Sequence, residues 1–200
     1  MTTRAFRAQA DADIVDRAAA LFAQRGFAKT SVQDIADAVV LSKAGLLHHF
    51  PSKEALRAAV FSRAASLEAQ AVEAIGDVPT GPSRDARALE VLVDLALAHP
   101  GLVALLLSPV GHGPAEGPDE EIHRIGDRVI ALFGVDPAAA VTERTVRVLG
   151  ALAALALLTL AATEHDQAIT WRPLILTTCL DTLGRRSPGV HPSDPHQLEA

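Results

Sequence analysis

Residues 30–54 read TSVQDIADAVVLSKAGLLHHFPSKE, two short helices joined by a tight turn and followed at once by the start of a third. Thr30 or Ser31 is placed to cap the first helix, and Asp34 stands three residues after Ser31, at capping-box spacing. Ile35, Ala36 and Val39 give that helix an apolar face. After a break at Val40-Leu41, Ser42 is placed to cap a second helix that carries Lys43, Leu46, Leu47, His48 and His49. Phe50-Pro51 ends it, because the residue before a proline is pushed out of the helical region. Ser52 then caps the third helix, with Glu54 in its first turn, where a negative charge suits the helix dipole. A short helix, a turn and a second short helix form the plan of a helix-turn-helix, whose second helix fits the DNA major groove.

Working outward, the segment upstream predicts a supporting helix from about Asp13 to Arg25. Ile14, Ala18, Leu21 and Phe22 share its apolar face, Gly26 stops it and Phe27 packs back. Residues 1–10 read as frayed. The composition, 49% hydrophobic and without runs of alternating β-branched residues, favours an all-α chain. The single cysteine, Cys179, excludes an internal disulfide and fits a reducing cytoplasm. No secretory signal opens the sequence. Net charge is −6, but residues 1–63 hold nine Lys/Arg against six Asp/Glu, a local +3, and all three lysines lie there. A basic head on an acidic body suits a polyanionic partner.

These residues resemble the TetR-type transcriptional repressors. The likeness rests on Ala19-Ala20-Leu21-Phe22 with Gly26-Phe27, on Thr30-Ser31-Val32 with Asp34-Ile35-Ala36, and on Ser42-Lys43 with Leu46 and the run His48 to Leu56. It covers about the first 60 residues. It implies a three-helix DNA-binding head at 1–60, a helical ligand-binding and dimerisation domain at 61–186 and a tail at 187–200, read as disordered. The DNA-contacting positions are then Thr30, Ser31, Gln33, Ser42, Lys43, Ala44, Gly45, Leu47, His48, His49 and Lys53. Lys43 and Lys53 open helices whose backbone N–H groups already favour phosphate. Ala44 and Gly45, with no long polar side chain, permit close approach to thymine methyls. His48 and His49 point about 100° apart along a helix, so one faces phosphate and the other the head's interior. The family commonly has Gly in the turn where Val40 stands, and Thr, Leu and Tyr where Gly45, Leu46 and Leu47 stand. These departures bear on affinity and site preference.

Further along, the next helix runs from Ser52 toward Ile75, with Leu56, Val60, Leu67 and Val72 as its core positions. Ser83 caps a helix that Pro100-Gly101 stops, a short helix covers 102–107, and 108–118 reads as a Gly/Pro loop. An amphipathic helix at 119–133 precedes a long one from Pro137 to about Thr163. The latter has sixteen uncharged residues between Arg147 and Glu164. That run is about 24 Å long, short of a membrane span, so a partner subunit is its natural cover. The last helix covers about 172–183. Together the last two predict a homodimer interface through Leu149, Ala153, Leu160, Leu174 and Thr178.

A mainly apolar pocket is expected among the body helices, with His99, Leu102, Leu106, His123, Leu155 and Thr159 as its candidate positions. The body histidines read equally as loop or surface residues, and Thr159 as bonded to its own backbone. Few aromatic residues favour a greasy or acyl ligand over a flat cationic one. No histidine pair with metal spacing, nucleophile elbow or phosphate loop is present, so no metal, cofactor or catalytic residue is expected. The expectation is a cytoplasmic, homodimeric repressor, released from a palindromic double-stranded operator by a small apolar effector. The alternative is an all-α small-molecule-binding protein or enzyme whose helix-turn-helix is not used on DNA.

Overall fold

A computed structural model describes residues 2–112 and 120–184, with side chains described for 7–107 and 120–184. Within them the chain is all-helical: α1 (Thr2–Arg25), α2 (Val32–Ala38), α3 (Lys43–His49), α4 (Lys53–Ile75), α5 (Pro82–Ala98), α6 (Pro100–His112), α7 (Glu120–Ala131), α8 (Glu143–Glu164) and α9 (Ala168–Thr182).

The local signals around the helix-turn-helix act as their chemistry dictates. The Ser31 hydroxyl accepts from the Asp34 amide at 3.1 Å while the Asp34 carboxylate accepts from the Ser31 amide at 2.7 Å, a complete capping box. Ser42 and Ser52 cap α3 and α4 through the amides of Gly45 and Ala55, each at 3.0 Å. Phe50, ahead of Pro51, leaves the helix with φ −133° and ψ 112°. Between α2 and α3, Val40 takes φ +56°, the left-handed conformation its branched side chain resists.

Other boundaries differ from the sequence expectation. Residues 2–10 are helical, and Asp13 sits inside α1, accepting from the Gln9 amide at 2.9 Å, where a cap was expected. Helix α5 begins at Pro82 rather than behind Ser83. Helix α6 begins at Pro100 and runs to His112, through residues expected to form a loop; positions 113–118 of that loop lie outside the described residues, as does the tail. Its start was hidden because its cap comes from far away in the chain. The Asp16 carboxylate accepts from the amides of Gly101 at 3.0 Å and Leu102 at 3.1 Å. Helix α8 starts at Glu143, capped by Thr142; Pro137 and Ala138 form a turn, residues 140–142 are irregular, and Asp136 accepts from the Ala138 amide at 2.9 Å. Helix α9 starts at Ala168, ahead of Arg172.

Two core clusters result. The first joins Ile14, Ala18 and Phe22 of α1, Ile35, Leu46, and Leu56 and Val60 of α4 to Leu102 and Leu105 of α6 and Ile125 of α7. The second packs Ala71 and Ile75 of α4 with α5, α8 and α9 through Leu89, Val93, Val148, Leu155, Ile175 and Cys179. Val72 is exposed, because the buried stripe of α4 runs through Ala64, Leu67, Ala71 and Ile75. A buried ion pair crosses the second cluster. Arg144 donates to the Asp85 carboxylate at 2.6 Å and to the Phe133 carbonyl at 3.0 Å. By length and composition alone α8 would pass as a membrane span. Its packing against α9, α5 and α6 makes it a core helix with one face left open.

Candidate DNA-binding face and ligand cavity

Leu46, buried against the first cluster, fixes the roll of α3. Ser42, Lys43, Ala44 and His48 are therefore exposed, with Gly45 and Leu47 half-buried beside them. No hydrogen bond or ion pair holds the Lys43 ammonium among the described residues. On α2, Ser31 and Gln33 are exposed, and the Gln33 amide donates to Asp37 at 2.7 Å. Asp34 is held below its ordinary pKa, first by the Ser31 hydroxyl and amide, then by Arg25. His49 turns inward to Asp11, Nδ1 to Oδ1 at 2.5 Å, while His48 faces out.

Two positions act differently from the expectation. Thr30 is only 1% exposed and its hydroxyl donates to the Gly26 carbonyl at 2.9 Å, so its side chain braces the α1–α2 turn. The Lys53 ammonium donates to the carbonyls of Phe27 at 2.9 Å and Thr30 at 3.0 Å and lies 4.3 Å from the centre of the Phe27 ring. It ties α4 to the head and is not a free cation.

In the body, a cavity of about 300 Å³ opens among α4, α5, α6, α7 and α8. Its walls are aliphatic, including Leu67, Leu95, Leu106, Val129 and Leu152, with Glu68 and His99 as the ionisable residues on the lining. Of the six pocket positions, His99, Leu102, Leu106 and Leu155 line it. Thr159 is buried within α8, where its hydroxyl donates to the Leu155 carbonyl at 2.8 Å, and His123 is an exposed residue of α7. Glu68 is paired with Arg128 at 3.2 Å.

His99, at the junction of α5 and α6, also borders a second cavity of about 250 Å³ with Asp13, Asp16, Arg17 and Arg63. Arg63 Nη2 lies 3.1 Å from His99 Nε2. A guanidinium can only donate, so Nε2 accepts and the ring proton sits on Nδ1. Burial, then the Arg63 charge, hold the His99 pKa below its ordinary value, against the smaller opposing pull of Asp16. Sequence reasoning missed Asp16 and Arg63. Their partners lie 85 and 36 residues away, and no local pattern marks such pairs.

The open face of α8 and α9 carries Leu149, Ala153, Leu157, Leu174 and Thr178, all exposed, with Leu160 half-buried between them. Leu149 and Ala153 border the apolar cavity as well. Cys179 is buried under this face, and burial pushes its thiol up to about 11. No group of three or more His, Cys, Asp or Glu suited to a metal ion occurs among the described residues.

Residues 14–60 match the family described as "Bacterial regulatory proteins, tetR family". Over 44 residues the chain is 50% identical to the HTH-type transcriptional repressor KstR2 of Rhodococcus jostii (strain RHA1), covering 22% of this chain and 22% of that relative. The match therefore spans about a fifth of the relative's length. The fold extends further. PfmR, a TetR-family regulator from Thermus thermophilus, is 22% identical and superposes with a TM-score of 0.54 over 88% of this chain and 97% of its own. The regulator FadR from Bacillus subtilis, solved in complex with stearoyl-CoA, is 14% identical and superposes with a TM-score of 0.52 over 84% of this chain and 97% of its own. Residues 14–60 thus match the helix-turn-helix segment of the TetR family, and the described residues share the helical fold of solved TetR-family regulators.

Proposed function

We propose that the protein is a homodimeric, ligand-responsive transcriptional repressor that reads a palindromic operator in the cytoplasm. Residues 1–60 form the DNA-binding head and 61–186 the ligand-binding and dimerisation body. The observation that carries this reading is the exposed face of α3, with Lys43 free at the helix N-terminus, inside the segment that matches the family. Lys43, the amides at the start of α3 and the Ser42 hydroxyl engage phosphate. Ala44, Gly45 and Leu47 meet base edges by close apolar approach. Ser31, Gln33 and His48 flank that contact, while Thr30, His49 and Lys53 hold its shape. Two such heads, held by the α8–α9 faces of two copies, enter successive major grooves about one helical turn apart.

The effector is a small apolar molecule in the cavity between α4 and α8, where a fold neighbour's acyl ligand makes a greasy occupant a natural choice. Its binding shifts the population toward a body that spaces the heads differently. The role is regulatory rather than enzymatic.

Selection from a random duplex pool, followed by titration of the winner at several salt concentrations, tests the reading. The expected result is a palindromic site whose log affinity falls linearly with log salt. Lys43→Ala should weaken binding and reduce the slope by about one per subunit. A salt-insensitive interaction indifferent to Lys43→Ala would point to a protein partner for this face.

A further inference from the structure

The apolar cavity and the open face of α8 meet at two residues. Among the described residues that line the cavity, Leu149 and Ala153 are exposed, Leu149 by 46%, and the others are buried or half-buried. Both belong to the exposed stripe Val146, Leu149, Gly150, Ala153 and Leu157, whose steps of three and four residues keep it on one side of α8. Opposite them, α7 lines the cavity with Gly126, Val129 and Ile130, and a side chain begun at Gly126 would meet open space. Helix α7 packs on α4 and α6, while α8 packs on α9, α5 and α6, and the cavity fills the space between α7 and α8. Its mouth therefore opens at the edge of the α8–α9 face. The rim on α8 is apolar, whereas the ionisable residues of the lining, Glu68 and His99, stand on α4 and at the α5–α6 junction. While the chain is alone, an apolar ligand in this cavity keeps the side nearest the rim in water, and forfeits the free energy of burying it.

We infer that the effector site is composite: the α8–α9 face of the second copy closes the mouth at Leu149 and Ala153, so each site of the dimer is completed by the other chain. A two-fold axis makes this reciprocal, since the same face meets itself and both mouths close together. A second copy matches the surface it has to cover. No charge interrupts α8 between Arg147 and Glu164, and the face presents Leu157, 62% exposed, and Leu174, 63% exposed. An uncharged face of that length is best met by another of its kind. The composite site rests on the proposed homodimer and the proposed effector cavity, and deepens them by making the two sites one. Linkage follows: an effector that binds the dimer more tightly than the monomer tightens the dimer by the same factor at each site. It therefore releases DNA by re-spacing two heads that stay together, not by separating the copies.

Calorimetric titration of the full chain with 1-decanol, with sedimentation equilibrium on the same samples, tests it. The wild-type dimer should bind 1-decanol about tenfold more tightly than the Leu157→Glu monomer, the effect of roughly two methylene groups kept out of water. Saturating 1-decanol should lower the wild-type dimer dissociation constant by up to about a hundredfold, tenfold for each of two sites. That second measurement needs no variant, so it decides the matter even where Leu157→Glu fails to fold. Equal affinity in dimer and monomer, with a dimer constant unmoved by 1-decanol, overturns the composite site and leaves the dimer and the cavity standing. A wild type that is monomeric with and without 1-decanol overturns the dimer, and the composite site with it. A dimer that takes up no 1-decanol overturns the cavity reading and the composite site together.

Discussion

Val40 is the residue at which this chain departs most visibly from its own local rules. It is 91% exposed, so it buries nothing, yet it holds φ +56° at the corner of the helix-turn-helix. Left-handed backbone at a β-branched residue costs about 1–3 kcal/mol, and glycine's extra chain entropy returns roughly 0.5–1 of that. Val40→Gly should therefore stabilise the protein by about 1 kcal/mol, read as a higher urea midpoint with an unchanged slope. His99 offers a second residue-scale measurement. Its folded pKa lies below the ordinary 6.5, so the unfolded chain binds the proton more readily. Stability contributed here is complete above the unfolded pKa and falls as pH drops through that value toward the folded one. Wild type and His99→Gln should have parallel stability profiles above about pH 7 and diverge below it, with the wild type losing more. Equal slopes at low pH would contradict this. The strain at Val40 was legible in the sequence, since a turn there left no glycine to take positive φ. The inward roles of Thr30 and Lys53 were not, because a threonine or lysine at a helix start looks the same whether it faces phosphate or a carbonyl across the turn.

Among the elements, α2, α3 and α4 could be read to the residue because their caps lie within three positions of what they cap. Helices α6 and α8 could not. The N-terminus of α6 is satisfied by Asp16 in α1, and Asp136-Pro137 imitates a helix start that the chain postpones to Thr142. The junction of α5 and α8 has the same long-range character. Asp85 is fully buried, and Arg144 reaches it from the first turn of α8. Arg144→Ala removes the charge partner of a buried carboxylate and a donor to the Phe133 carbonyl. Because the arginine is itself partly exposed, the loss should be roughly 2–3 kcal/mol, less than for a fully enclosed pair. Urea unfolding measures it. A change within about 0.5 kcal/mol, typical of surface substitutions, would assign the pair no role in holding α8.

For the whole molecule, the sequence names a partner subunit as the natural cover of the apolar run of α8, and the single chain leaves one face of that helix open. Leu157 is 62% exposed and Leu174 63%, on a face continuous with Leu149 and Ala153. If two copies close this face, Leu157→Glu buries a charge in each and should yield a monomer by sedimentation equilibrium, with operator affinity lost in parallel. The monomer's own unfolding free energy should change little. A wild type that is already monomeric at micromolar concentration would sink the proposed assembly. The first core cluster has a different consequence. It runs without a break from Ile14 and Leu46 through α4 to Leu102, Leu105 and Ile125, and a side chain at Gly101 would collide with the Asp16 backbone. Anyone building a hybrid sensor by transplanting this reader onto another body would cut through a fitted surface at residue 60. The transferable cassette is discontinuous: it must carry the opening of α6 along with α1 to α4, or the graft will arrive with its underside missing.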